Sequence, residues 1–119
     1  MTPAFTLRIF AYYLFALSAA LMLAPNVLLG LFGIPTTSEV WIRVVGMLVG
    51  FLGYYYLRAS RAGLHAFYAW TVPARMSVLV FFGAFVALGH APAALLVFGA
   101  VDALAAFWTW HALRRSPLA

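Results

Sequence analysis

Two acidic side chains stand out in this chain because they are the only ones among 119 residues, Glu39 and Asp102. Asp102 lies within the apolar stretch FGAVDALAAF. A carboxylate in such surroundings can pair with a cation, take up and release a proton, or hold a polar ligand. Its neighbours at helical spacing include the small residues Gly99, Ala105 and Ala106. We therefore expect Asp102 to face other helices, since an exposed charge in apolar surroundings is costly.

Arg43 is the predicted partner of Asp102. If the second and fourth predicted helices are aligned as repeats, Asp102 matches Gly46, and Arg43 lies one helical turn away from that position. Glu39 precedes Arg43 by four residues, the favourable order for an ion pair on one helix face. Arg75 is the second candidate, although a helical side chain leans toward the N-terminus, which for Arg75 points away from Asp102.

Three roles for this polar site stay open at the level of sequence. An Asp–Arg pair can fix the register of packed helices without doing chemistry. It can also form a functional polar site, as charged residues within apolar helices often do. Alternatively, Asp102 can stay neutral and unpaired, because burial disfavours its charged form.

Other chemistry is poorly represented. The absence of cysteine excludes disulfides, thiol catalysis and thiolate metal sites. His65, His90 and His111 are too scattered to predict a metal or haem site. No nucleophile elbow, phosphate loop or paired catalytic carboxylates occur, so no catalytic residue and no enzyme class is predicted. Serine and threonine within the helices are expected to hydrogen-bond back to helix carbonyls rather than act as nucleophiles: Ser18, Ser77 and Thr109.

The elements that must position these residues are apolar helices. The chain is 67% hydrophobic and 8% charged, with a mean hydropathy of +1.05, whereas charged residues make up about a quarter of ordinary soluble domains. About 20 apolar residues cross a bilayer, and four such runs are present. The sequence predicts an all-α, four-transmembrane-helix up-down bundle, a single integral membrane domain over 1–119 whose partner is the lipid bilayer. The predicted spans are 5–24, 38–58, 72–89 and 93–113. The length of the first run favours a retained span over a signal peptide.

Glycine spacing predicts how these helices pack. Gly46, Gly50 and Gly53 form one stripe with Arg43, and small residues at this spacing let membrane helices approach closely. Gly99 has the same role on the fourth helix. Similar arginine and Ala-Pro spacings in the two halves allow a second description, two tandem helical hairpins.

Seven arginines and two acidic residues give a net charge of +5. The distribution of the arginines indicates the orientation of the chain in a membrane rather than nucleic-acid binding. Six arginines fall at span ends that share one membrane face if the chain passes up, down, up, down; only Arg43 belongs to the other face. Under the positive-inside rule both termini are predicted to be cytoplasmic.

The stretch WIRVVGMLVGFLGYYYLRASR, followed by a short third span and a fourth with an intramembrane Asp, resembles small bacterial four-span proteins of the DoxX-like kind. The resemblance covers most of the chain and implies a four-helix bundle of the bacterial inner membrane, sometimes an accessory subunit of a quinone-linked oxidoreductase. No motif in this chain corresponds to a quinone-site residue.

Two functional hypotheses follow. The first is an accessory subunit, or a bundle that binds an apolar ligand or lipid, with a buried Asp–Arg site. This hypothesis requires no cofactor, and a quinone or a lipid could be the ligand. Its partners would be a second copy or a larger membrane complex. The alternative is a dimeric proton-coupled transporter that uses Asp102, which an arginine pair would oppose. A membrane enzyme is disfavoured because no pair of catalytic groups is recognisable.

Overall fold

The computed structural model describes residues 2–115, and within that range the chain forms five α-helices and no strand. Their bounds are α1 Pro3–Leu23, α2 Pro25–Leu31, α3 Trp41–Ala62, α4 His65–Ala87 and α5 Leu95–Arg115. The predicted all-α class is confirmed. Three helices, α1, α4 and α5, are long and apolar enough to cross a membrane. The fourth long helix, α3, has 22 residues but carries three arginines and is not among them.

Close packing joins α1 and α3 along much of their length. The backbone of α3 meets α1 at three glycines, in reverse order along the two helices: Gly46 beside Leu21, Gly50 beside Ser18 and Gly53 beside Leu14. The two helices are therefore antiparallel. The Ser18 hydroxyl donates to the Gly46 carbonyl at 2.6 Å, which adds a hydrogen bond to this contact. The three glycines of the predicted stripe thus face α1, whereas Arg43, which was grouped with them, is exposed.

The second closely packed pair is α4 and α5. A Cβ atom on Gly99 would lie 3.1 Å from the Cα atom of Leu79, so α5 approaches the backbone of α4 at this point. Gly63 links the two pairs: it ends α3 with a φ of 70°, a left-handed conformation that suits glycine. Most helix packing therefore lies within two pairs, the α1/α3 hairpin and the α4/α5 hairpin.

The start of α4 differs from the sequence prediction. The third span was predicted over 72–89 with Pro73 near its start, but α4 begins at His65 and Pro73 lies inside it. Gly63 turns the chain so tightly that the next helix begins two residues later. Arg75 consequently lies well inside α4 and not at its entrance. Pro73 has no backbone N–H, so α4 lacks one helical hydrogen bond at this point.

The two hairpins meet mainly at one end of the bundle, where α1 and α4 begin and α3 and α5 end. We call it the basic end, because five arginines lie near it: Arg8, Arg58, Arg61, Arg114 and Arg115. Its apolar core combines residues of all four long helices: Leu7, Phe10, Ala11, Leu14, Tyr56, Ala59, Tyr68, Val72, Ala106 and Leu113. The Tyr68 hydroxyl donates to the Ala59 carbonyl at 3.0 Å and so ties α4 to the end of α3.

Replacing Gly46 by alanine tests the α1/α3 contact. The added Cβ would lie 2.9 Å from the Leu21 Cβ, so one helix must shift. We expect Gly46→Ala to lower the free energy of unfolding by about 1–3 kcal/mol. Gly83→Ala is the matched control, because a Cβ there meets no atom within 4 Å. The control should be neutral or stabilising by about 0.5–1 kcal/mol, since alanine favours helix. Thermal unfolding in detergent, followed by circular dichroism, measures both. If Gly46→Ala and Gly83→Ala changed the stability equally, the close approach of α3 to α1 at Gly46 would be contradicted.

Candidate functional site

Arg75 on α4 is the most deeply buried charged side chain that the structure describes, with 3% of its surface exposed. Its Nη2 donates to the Thr71 hydroxyl at 3.0 Å and to the Thr109 hydroxyl on α5 at 2.9 Å. Its Nε donates to the Thr71 carbonyl at 3.4 Å. Two neutral hydroxyls therefore hold one edge of the guanidinium, and the bond to Thr109 joins α4 to α5.

A chain of hydroxyls extends this contact to α1. The Thr6 and Thr109 hydroxyls lie 2.7 Å apart, and the Thr6 hydroxyl also donates to the Pro3 carbonyl at 2.7 Å. Thr6 has one hydroxyl hydrogen, and it is used in the bond to the Pro3 carbonyl. In the contact between the two threonines, Thr109 must therefore be the donor and Thr6 the acceptor. Thr109 then accepts from Arg75. The resulting relay, from Arg75 through Thr109 and Thr6 to Pro3, connects three of the helices.

Two aromatic rings cover the guanidinium. Its central carbon lies 4.8 Å from the ring centre of Phe10 on α1 and 5.7 Å from that of Tyr56 on α3. A cation at this distance is attracted by the ring, and more strongly where water is excluded. Arg75 therefore contacts all four long helices.

One nitrogen of Arg75 is left without a partner. Nη1 is buried and makes no hydrogen bond within the described residues. The guanidinium is planar, and Nε and Nη2 share the edge that faces Thr71, so Nη1 points away from Thr71. Asp102 is close enough for its charge to act on Arg75, and on Tyr13 and Tyr56 as well. Among residues 2–115, however, no hydrogen bond or direct ion pair reaches Asp102. Two opposite charges thus lie near each other without touching.

Several side chains of α1 and α5 near Asp102 are less buried than those at the basic end. Thr6 and Thr109, where the helices touch, are fully buried. At the next levels Tyr13 and Asp102 are only half-buried, as are Leu17, Phe98 and other residues further along. Beyond them, Phe98 packs on Phe32, with ring centres 4.8 Å apart. Tyr13, Leu17, Phe98 and Asp102 form a half-buried region that we call the interhairpin cleft.

The structure gives Arg43 a different partner from the predicted Asp102. Arg43 is exposed at the far end of the bundle, where it donates to the Met22 carbonyl in the last turn of α1. A cation at this position satisfies a terminal carbonyl and is favoured by the helix dipole. The predicted Arg43–Asp102 pair is not formed, and Arg75 is the arginine whose charge acts on Asp102. The pairing could not be inferred from the repeat alignment, because equivalent positions in two hairpins need not lie next to each other.

Glu39 does not extend the polar site. It is exposed and precedes α3, which begins at Trp41, so the predicted helical spacing to Arg43 does not exist. Its backbone N–H instead donates to the Thr37 hydroxyl at 3.1 Å. The predicted ladder of Glu39, Arg43 and Asp102 is therefore replaced by two separate features at different depths of the bundle.

The hydroxyl residues divide in a way the sequence did not predict. Ser77 bonds back to a carbonyl of its own helix, Ala74, as expected. Ser18 and Thr109 bond to other helices instead. Thr6 and Thr71, which complete the arginine cluster, were missed altogether. The sequence offered only a weak indication of their role: Thr6 and Thr71 each lie four residues from another polar residue on an otherwise apolar stretch.

The three histidines lie outside this cluster. Within residues 2–115, no group of three or more potential metal ligands occurs. His111 lines a shallow cavity of about 280 Å³ at the basic end, together with Trp108, Ala112 and Arg115. These residues follow one another along α5, so this cavity is a surface groove separate from the Arg75–Asp102 region.

No protein-family model matches the chain, and neither a curated protein nor a solved structure matches it. The functional argument consequently depends on the geometry of the cluster itself.

Thr109→Val tests the hydroxyl relay. Valine keeps the shape but removes the acceptor for Arg75 and the bond to Thr6, so a buried charged donor loses its partner. We expect a loss of about 1–2 kcal/mol in unfolding free energy, the upper part of the range for hydrogen bonds between membrane helices. Thr36→Val, the same change at an exposed position, should have little effect. Thermal unfolding in detergent compares them. A Thr109→Val protein as stable as the control would show that the relay does not stabilise the bundle.

Proposed function

We propose that this chain is a four-span protein of the bacterial inner membrane, with both termini cytoplasmic, that binds an apolar or amphipathic ligand between its hairpins. Arg75 and Asp102 provide the polar centre of the binding site. The ligand is a lipid or another apolar molecule such as a quinone. The protein acts alone, as a homo-oligomer, or as an accessory subunit of a larger membrane complex.

The fourth span is supported by the packing of α3. Its glycines lie against α1 at three successive levels, from Leu21 to Leu14, and α1 is long and apolar enough to cross a membrane. A helix packed antiparallel along a spanning helix shares its depth. The 21 residues of α1 extend about 32 Å, close to the ~30 Å of a hydrocarbon core. The arginines of α3 lie toward its two ends, where long side chains can reach the interface.

The unfilled nitrogen of Arg75 is the observation that carries the binding function. A buried donor without a partner costs about 1–3 kcal/mol, and more when it is charged. Nearby, the Asp102 carboxylate also lacks a hydrogen bond in the described part of the chain. A group from outside the protein that fills both would remove these penalties, and the half-buried cleft beside Asp102 gives it a place.

The DoxX-like resemblance supports the same proposal from another direction. It implies a four-helix inner-membrane bundle that sometimes serves as an accessory subunit of a quinone-linked oxidoreductase. An accessory role needs no catalytic residue, in keeping with a site built from one arginine, one carboxylate and threonines. The helix faces exposed to the surroundings, such as Val80 and Phe81 on α4, suit either lipid or a partner subunit.

Single-cysteine labelling tests the topology, and the chain has no cysteine of its own. The exposed positions 2, 38, 62 and 90 lie at the ends of the long helices. A membrane-impermeant maleimide added to intact cells should label Ser38→Cys and His90→Cys. Thr2→Cys and Ala62→Cys should react only after lysis. If Ser38→Cys and Ala62→Cys react from the same side, α3 does not span and the four-span proposal is wrong.

Ligand retention tests the binding function. The protein is purified in a mild detergent, and bound compounds are extracted and identified by mass spectrometry. We expect one apolar compound per chain in the wild type, and its loss in Asp102→Asn and Arg75→Gln. Arg43→Gln is the control, because Arg43 lies outside the site, and it should retain the compound. Asp102→Asn leaves the threonine relay intact, so its result stands even if Arg75→Gln fails to fold. A wild type that retains no such compound, or variants that retain it equally, would contradict the proposal.

Proton-coupled transport by a dimer is the second candidate. Transport requires an acid free of a direct ion pair, and Asp102 makes none within residues 2–115. The nearby charge of Arg75 opposes it. Proton flux into liposomes that contain the purified protein separates the candidates: flux that Asp102→Asn abolishes would favour transport.

A further inference from the structure

The two charged groups of the site offer hydrogen bonds of opposite kinds. Arg75 Nη1 can only donate, because a guanidinium has no acceptor. An ionised Asp102 can only accept. The two do not touch, so a single group that bridged them would accept from Arg75 and donate to Asp102. A hydroxyl or a primary amide can do both, whereas a carbonyl or an ether oxygen can only accept a hydrogen bond from Arg75.

The charges also select the ligand. Arg75 and Asp102 carry opposite charges near enough to interact, which leaves the site with no net charge. An anionic head would be attracted by Arg75 and repelled by Asp102, and a cationic head would experience the reverse. In apolar surroundings such interactions are poorly screened. A neutral head avoids both repulsions.

We propose that the site binds the head of an uncharged amphiphile that bears a hydroxyl or primary amide, such as a lipid alcohol, with its apolar tail in the interhairpin cleft. The head lies between Arg75 Nη1 and Asp102. Tyr13, Leu17 and Phe98 line the path of the tail. This inference rests on the binding function proposed above and adds the chemical class of the ligand.

Four probes with the same 18-carbon oleyl chain separate the effects of charge and hydrogen bonding. Oleyl alcohol donates and accepts, oleyl methyl ether only accepts, oleyl sulfate is a fixed anion, and oleyltrimethylammonium is a fixed cation. The purified protein, stripped of bound compounds, is offered equal amounts of all four, and the complexes are counted by native mass spectrometry. We expect oleyl alcohol to be preferred by about tenfold over each charged probe, the ratio that 1.4 kcal/mol produces. Binding of oleyl alcohol should also exceed binding of the ether, because the ether cannot donate a hydrogen bond to Asp102.

Asp102→Asn should change the preference in a direction that a purely structural role would not. The variant removes the negative charge and keeps the size of the side chain, so the site gains a net positive charge from Arg75. Oleyl sulfate should then become the preferred probe. Glu39→Gln is the matched control, since Glu39 is the other acidic residue and is exposed before α3. It should keep the preference of the wild type.

The outcomes distinguish this inference from the function on which it rests. If the wild type retains a cellular compound but prefers a charged probe, binds alcohol and ether equally, or binds none of the four, the ligand class is wrong and the binding function stands. The same holds if Asp102→Asn leaves the preference unchanged. If the wild type neither retains a cellular compound nor binds any probe, the binding function itself is wrong.

Discussion

The burial of one positive charge organises this bundle. Arg75 is surrounded by residues of all four long helices, and its neighbours are neutral hydroxyls and aromatic rings rather than a carboxylate in contact. A charge in apolar surroundings is tolerated only when its donors are filled. The relay through Thr109 and Thr6 meets part of that requirement and joins the two hairpins at the same time. The remaining donor is what makes the cluster a candidate binding site and not only a structural one.

The two hairpins are held together unequally. At the basic end, a shared apolar core and the threonine relay lie close together, and Tyr68 ties α4 to α3. Farther along, the principal contacts lie within each hairpin, at Gly46 and Gly50 in one and at Gly99 in the other. The cleft therefore begins where the shared core and the threonine relay end, and the Phe32–Phe98 ring contact lies beyond it. Asp102 stands at that boundary, so its position between a dry core and a half-buried region follows from the packing.

Features that depend on local spacing could be predicted from the sequence. Asp102 stood out by its chemistry alone, and Gly46, Gly50 and Gly53 lie on the side of α3 that packs on α1. The arginine cluster could not be predicted, because it depends on distant parts of the chain. Thr6 and Thr109 are 103 residues apart, and no periodicity relates them. The span predicted over 72–89 places Arg75 at a helix entrance. Once Gly63 allows α4 to begin at His65, the same arginine lies deep in the bundle. Arg43 was misassigned because internal similarity says nothing about which faces meet.

Pro73 has a mechanical consequence for α4. It has no backbone N–H, so the carbonyl of Ala69, four residues earlier, lacks its helical partner. This interruption falls between Val72, which belongs to the core of the basic end, and Arg75. A bend at that point breaks no helical hydrogen bond. The part of α4 beyond Pro73 can therefore bend relative to the basic end at a lower cost than an uninterrupted helix, whereas α5 is continuous from Leu95 to Arg115. The stiffness that opposes a change in the width of the cleft therefore comes mainly from α5, because α4 is already interrupted beside Arg75.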